Sequence, residues 1–204
     1  KTTDGGNSWN SGTNTIGTTY RSLAVAPSNG NYVYAATLSQ IYRSSDGAAT
    51  WTNITSGLPI SSLAITYVTV KYNDPLTLWV SCSGYSSVNK VFKSIDGGAT
   101  WTNITGNGLP NVPANCIMNE SNNSTDALYV GTDIGVYYTN STLPGWISYS
   151  TGLPRVVVDE LEIHYGTGKI RAATYGRGIW QTDLYPEPAG VEDVASACEN
   201  WALP

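Results

Sequence analysis

Hydrophobic and polar residues alternate along this chain in short runs. Ser62 to Val70, Leu76 to Cys82, Val88 to Ser94 and Trp101 to Thr105 are examples. The runs are rich in Val, Ile, Thr, Tyr and Trp, and alternation of that kind predicts strands of about five residues with one buried face. Gly57-Leu58-Pro59, Gly108-Leu109-Pro110 and Gly152-Leu153-Pro154 interrupt them, and Gly with Pro punctuates strands. Helical spacing is absent until the tail after Pro186. The pattern therefore predicts an all-β fold.

The runs repeat. Lys93-Ser94-Ile95-Asp96-Gly97-Gly98-Ala99-Thr100-Trp101 nearly copies Arg43-Ser44-Ser45-Asp46-Gly47-Ala48-Ala49-Thr50-Trp51, and the stretch from Lys1 to Trp9 is a third copy. A degraded fourth, Tyr138 to Trp146, puts Ser141 where the Asp belongs. The four Trp stand at 9, 51, 101 and 146, in steps of 42, 50 and 45 residues. Four strands per step of that length predict a β-propeller blade. Full blades are expected at about 20–57, 60–108 and 112–152. A fourth begins at Val156 and is expected to stop after its third strand near Leu184. The expected organisation is a blade unit over 1–185 followed by a linker or tail over 186–204. A strand near Trp9 is the expected partner in any closure, and the phase of the repeats suits the C-terminal part of a larger propeller.

The motif Ser/Thr-x-Asp-x-Gly-x-Thr/Ser-Trp resembles the Asp box, or BNR repeat, of sortilin-type receptors, sialidases and xyloglucanases. The resemblance implies a structural role, away from any catalytic centre, for Asp4, Trp9, Asp46, Trp51, Asp96 and Trp101. Its logic is local. The carboxylate accepts from N–H groups of its own turn, Gly takes positive φ, and Trp packs on the blade edge. Ala173-Thr174-Tyr175-Gly176-Arg177-Gly178-Ile179-Trp180 resembles the closing blade of secreted bacterial Asp-box propellers. Many of those use type IX secretion through a sorting domain, which here would follow Pro204. The resemblance implies an extracellular or cell-surface protein.

Composition narrows the function. Charged residues make up 12% of the chain, and the net charge is −5. Ten Lys and Arg are scattered singly, which argues against a nucleic-acid partner. No run approaches the roughly 20 apolar residues of a membrane span. One His and no CxxC pair leave no expected metal or other cofactor. Cys82 and Cys116 lie in apolar runs and read as buried thiols, with a Cys82–Cys116 disulfide as the alternative; Cys198 makes the count odd.

Glycoside hydrolysis needs two carboxylates, about 5–5.5 Å apart for retention or about 6.5–9.5 Å for inversion. Asp159, Glu160 and Glu162 form the one acidic cluster near an inner strand. With Leu161 and Ile163 on the core face, Glu160 and Glu162 are expected on the other, which makes them the candidate catalytic pair. Tyr175 and Arg177 are the candidate binding residues; the competing expectation for Tyr175 to Trp180 is a tight strand-to-strand turn. His164 stands between Ile163 and Tyr165 with no nucleophile elbow, so a structural role is expected. The sequence thus points to a non-catalytic binding or scaffold module meeting a glycan or protein surface, with a xyloglucanase-like glycosidase propeller as the alternative. Further blades, from an upstream segment or a partner chain, are the other expected partners.

Overall fold

The computed structural model describes residues 2, 4–9, 16, 19–60, 63–121, 123–186, 201 and 202. Among them there are strands and turns only. The first blade holds β1 (Ser22–Val25), β2 (Val33–Ala36), β3 (Ile41–Ser44) and β4 (Thr52–Asn53). The second holds β5 (Ala64–Val70), β6 (Leu78–Ser83), β7 (Val91–Ser94) and β8 (Thr102–Asn103). The third holds β9 (Ala114–Asn119), β10 (Leu128–Thr132), β11 (Gly135–Thr139) and β12 (Ile147–Ser148). The last has β13 (Val158–His164), β14 (Lys169–Thr174) and β15 (Gly178–Asp183). Every sheet is an antiparallel meander in chain order, as short loops between strands require. The expected blade limits therefore agree with the observed sheets.

The blades stack through apolar faces, with β5 against both β1 and β9, and β9 against β13. Tyr34, Ile41, Val68, Val80 and Phe92 fill the first junction. Trp79, Val91, Ile117, Val130 and Trp146 fill the second, and Tyr129, Tyr138, Leu161 and Ile170 the third. Because both faces of a middle blade are covered, its central strand loses the polar alternation. All six side chains of β6 are buried except Ser83, as in any strand covered on both sides.

One hydrogen bond recurs at the junctions. The indole Nε1 of Trp101 donates to the Ile54 carbonyl at 2.9 Å, and that of Trp146 to the Ile104 carbonyl at 3.1 Å. Each acceptor lies three residues after the preceding repeat's Trp. Trp201 does the same to Tyr149 at 2.7 Å, and Gln181 and Ala202 exchange backbone bonds of 2.7 and 2.8 Å. The alternation predicts three strands for the last blade and a linker or tail over 186–204, which includes Trp201. The structure instead brings Trp201 and Ala202 to the fourth-strand position beside β15. Trp9, expected to pack on a blade edge, is 73% exposed, because no blade precedes it among the described residues.

Candidate functional site

Three of the four innermost strands, β5, β9 and β13, carry one irregularity each. Their pairing slips at Thr66 in β5, at Asn115 in β9 and at Asp159 in β13. These are β-bulges, which twist a strand and re-aim the neighbouring side chain. The bulged residues stitch adjacent blades together. Thr66 Oγ1 donates to the Ala114 carbonyl at 2.8 Å, and Asn115 Nδ2 reaches the Val158 carbonyl at 3.3 Å and Asp133 at 3.0 Å. Asp159 is exposed.

Beside each bulge stands a residue at an equivalent register position: Tyr67, Cys116 and Glu160, with Ser22 at the matching place in β1. These converge. The Tyr67 phenol lies by the Glu160 carboxylate, and burial first, then the interaction with that carboxylate, pushes the phenol well above its ordinary value. Burial, with the charges of Glu160 and Asp159 adding to it, also raises the Cys116 thiol. Glu160 Oε1 is buried with no hydrogen-bond partner among the described residues. The cluster therefore offers one carboxylate beside a phenol and a thiol that both hold their protons at neutral pH. Nothing in the sequence period announces the bulges, so Tyr67 and Cys116 were not among the expected site residues.

The sequence candidates separate. Glu160 and Glu162 do share the face opposite Leu161 and Ile163. Yet Glu162 is exposed in a cross-strand row with Arg171 and Gln181, whereas Glu160 turns in to Tyr67. His164 is exposed, with Nδ1 2.8 Å from Thr167 Oγ1. Cys82 and Cys116 are both buried and free, not joined to each other, and burial pushes Cys82 up to about 12. Cys198 lies outside the described residues. No group of three or more potential metal ligands gathers among the described residues.

The three repeated turns are nearly superimposable in their bonding. Asp96 accepts from Thr100 Oγ1 at 2.6 Å, from the Thr100 N–H at 2.9 Å and from Ser94 Oγ at 2.8 Å. Asp46 and Asp4 accept from Thr50 and Ser44, and from Ser8 and Thr2, in the same way. Those bonds hold Asp96 down at about 2 and the other two lower still. All three carboxylates are spent on their own turns.

The loops joining second to third strands all emerge at one end of the blades. There Tyr85 and Tyr175 are each 76% exposed, Val88 62% and Leu38 43%. Arg177, exposed, sits in the tight turn of the last blade, where Gly176 and Gly178 take φ of 72° and 76°. Its carbonyl accepts from Trp180 Nε1 at 2.9 Å.

Four stacked antiparallel blades have clear counterparts among solved structures. A GH74 xyloglucanase from Xanthomonas campestris superposes with a TM-score of 0.66 at 15% identity, over 88% of this chain and 29% of that one. The extracellular domain of BT4673, described as a hybrid two component system, from B. thetaiotaomicron gives 0.65 at 13%, over 87% and 23%. YCF48 bound to D1 peptide gives 0.58 at 16%, over 81% and 51%. The fold is that of a partial β-propeller. At these identities the likeness carries the fold alone. The chain spans between about a fifth and a half of the length of these neighbours. No family model matches the sequence, and no curated protein matches it.

Proposed function

We propose that this chain is a non-catalytic binding or scaffold module, built from Asp-box blades and working outside the cell as part of a larger propeller. It docks on a glycan or protein surface through the loop end that carries Tyr85 and Tyr175. The observation that carries the reading is the 76% exposure of both tyrosines at that end. Large aromatic side chains left in water on loops are the usual anchors of a binding face, and Arg177 beside Tyr175 adds a planar donor. The wider placement is supported by the exposed side chains of Leu23 and Val25 and by the extracellular domain among the neighbours.

The test is co-sedimentation of the protein with insoluble plant and bacterial polysaccharides, alongside capture on immobilised surface proteins. Retention by the unchanged chain is expected, and the double variant Tyr85→Ser, Tyr175→Ser should lose it at an unchanged melting temperature. Retention that survives the double variant refutes the assignment of the loop end.

One neighbour is a xyloglucanase, so a glycosidase reading has a specific comparison behind it. Glu160 would be its acid, and the second carboxylate would have to be one other than Glu162, which lies in a separate exposed row. Release of sugar from xyloglucan that Glu160→Gln abolishes would establish that reading in place of ours.

A further inference from the structure

Two blade junctions that should be alike differ. At the first, the turn of the second blade plugs tightly against the first blade. A Cβ on Gly98 would collide with the Ile54 side chain, and one on Gly97 with Arg43, while lying 3.1 Å from Leu76 Cδ2. Arg43 Nη1 closes the contact by donating to the Gly97 carbonyl at 3.0 Å. At the second junction the same two positions, counted back from Trp146, hold Thr142 and Leu143. Those side chains cannot enter the space that glycine leaves, and the turn meets the second blade instead through Gly145 and through Trp146, whose N–H donates to the Asn107 carbonyl at 2.8 Å. A cavity of about 280 Å³ remains there, walled by Trp79, Ile104, Leu128, Leu143 and Trp146.

Its polar groups have changed in the same way. Lys93 stands at the register position of Arg43, and Asp126 at that of Leu76. Asp126 is held at a left-handed φ of 53°, where Asp is tolerated better than most side chains. Its carboxylate is gripped by Lys71 and, at 2.7 Å, by Lys93. Lys93 Nζ also lies 5.4 Å from the centre of the Trp79 ring. An apolar plug has thus become an apolar wall with one ammonium and one carboxylate facing the cavity.

We propose that this cavity is a binding site for a single neutral sugar ring, separate from the loop end and independent of it. An apolar ligand would strip water from Lys93 and Asp126 without replacing their bonds. A free anion would meet the Asp126 carboxylate, and a free cation the Lys93 ammonium. A sugar hydroxyl both accepts and donates, so one ring can satisfy Lys93 and Asp126 together while its C–H face lies on the wall. The volume is at the small end of the roughly 300–1,000 Å³ of ligand pockets, which suits one ring and not a chain.

The test is titration of the full ¹⁵N-labelled chain with methyl β-D-glucopyranoside, methyl β-D-galactopyranoside and methyl β-D-xylopyranoside, and separately with inorganic phosphate. A saturable shift of the Trp146 indole resonance by at least one glycoside is expected. Asp126→Asn should weaken that binding about tenfold, and Leu143→Phe, which fills the space, should abolish it while the other indole resonances stay in place. A shift produced by phosphate and by no glycoside overturns the proposal, as does silence from every probe. So does glycoside affinity that neither variant changes. The unchanged chain alone decides the first two outcomes, so a variant that fails to fold does not spoil the test.

Discussion

Asp96 shows how a solvent-facing carboxylate can be structural. It accepts from two side chains and a backbone N–H within one seven-residue span, and bonds to the charged form are what lower its titration. Its folded value of about 2 lies below the ordinary 3.8. The stability it contributes is therefore complete above 3.8 and is lost as the pH falls from there through about 2. Melting temperatures of the parent and Asp96→Asn should differ at neutral pH and converge near pH 2; a constant gap down to pH 2 would contradict the assignment. A neighbouring position runs the other way. Ala48 occupies the slot that is Gly98 in the next repeat, at a φ of 69°, a conformation that costs a non-glycine residue roughly 1–2 kcal/mol. Ala48→Gly should stabilise by about 0.5–1 kcal/mol after the entropy glycine adds to the unfolded chain. The midpoint of urea unfolding should rise with no change in slope.

Among elements, the two-residue fourth strands look too short to matter, and the Trp before each one explains why they hold. Trp101, Trp146 and Trp201 each close a junction by one indole bond to the preceding repeat. Trp101→Phe keeps most of the packing and leaves the Ile54 carbonyl without its donor, a loss of about 1–2 kcal/mol. Trp201→Ala should cost more, about 3–5 kcal/mol, since the indole is 3% exposed in an aromatic cluster. Chemical denaturation of the two variants gives the order directly. These elements also mark how far the sequence could be read. Strand limits and the blade period were legible because alternation and the Ser-x-Asp turn repeat at fixed spacing. Trp201 was hidden because it follows the end of β15 at Asp183 by eighteen residues, where the other three Trp follow their third strands by seven. The inner bulges were hidden too, because a bulge adds one residue without changing the composition of a strand. With them went the meeting of Tyr67 and Glu160.

At the scale of the molecule, the two end blades are unlike. The outer face of the last blade is polar: Glu162, Arg171 and Gln181 form one row, and His164, Lys169 and Asp183 another, with Lys169 ion-paired to Asp183. That face suits water. The outer face of the first blade is apolar. Leu23 and Val25 are 65% and 53% exposed, while Val68 and Val70, at the same register positions of the second blade, are 1% and 8% exposed under the first. The repeat thus presents a junction surface where no blade is described against it. In water such a surface draws another copy or an additional blade. The 204-residue chain by itself is therefore expected to self-associate as its concentration rises, read by light scattering on gel filtration. Leu23→Glu with Val25→Thr should leave it monomeric at the same concentrations, because both side chains already face solvent and neither change opens the core. Appending a blade that covers this face should have the same effect and raise the melting temperature. A parent chain that stays monomeric at every accessible concentration would mean that another part of the chain already covers Leu23 and Val25. Hydrogen exchange at β1 separates that outcome, since a covered β1 would exchange as slowly as β5.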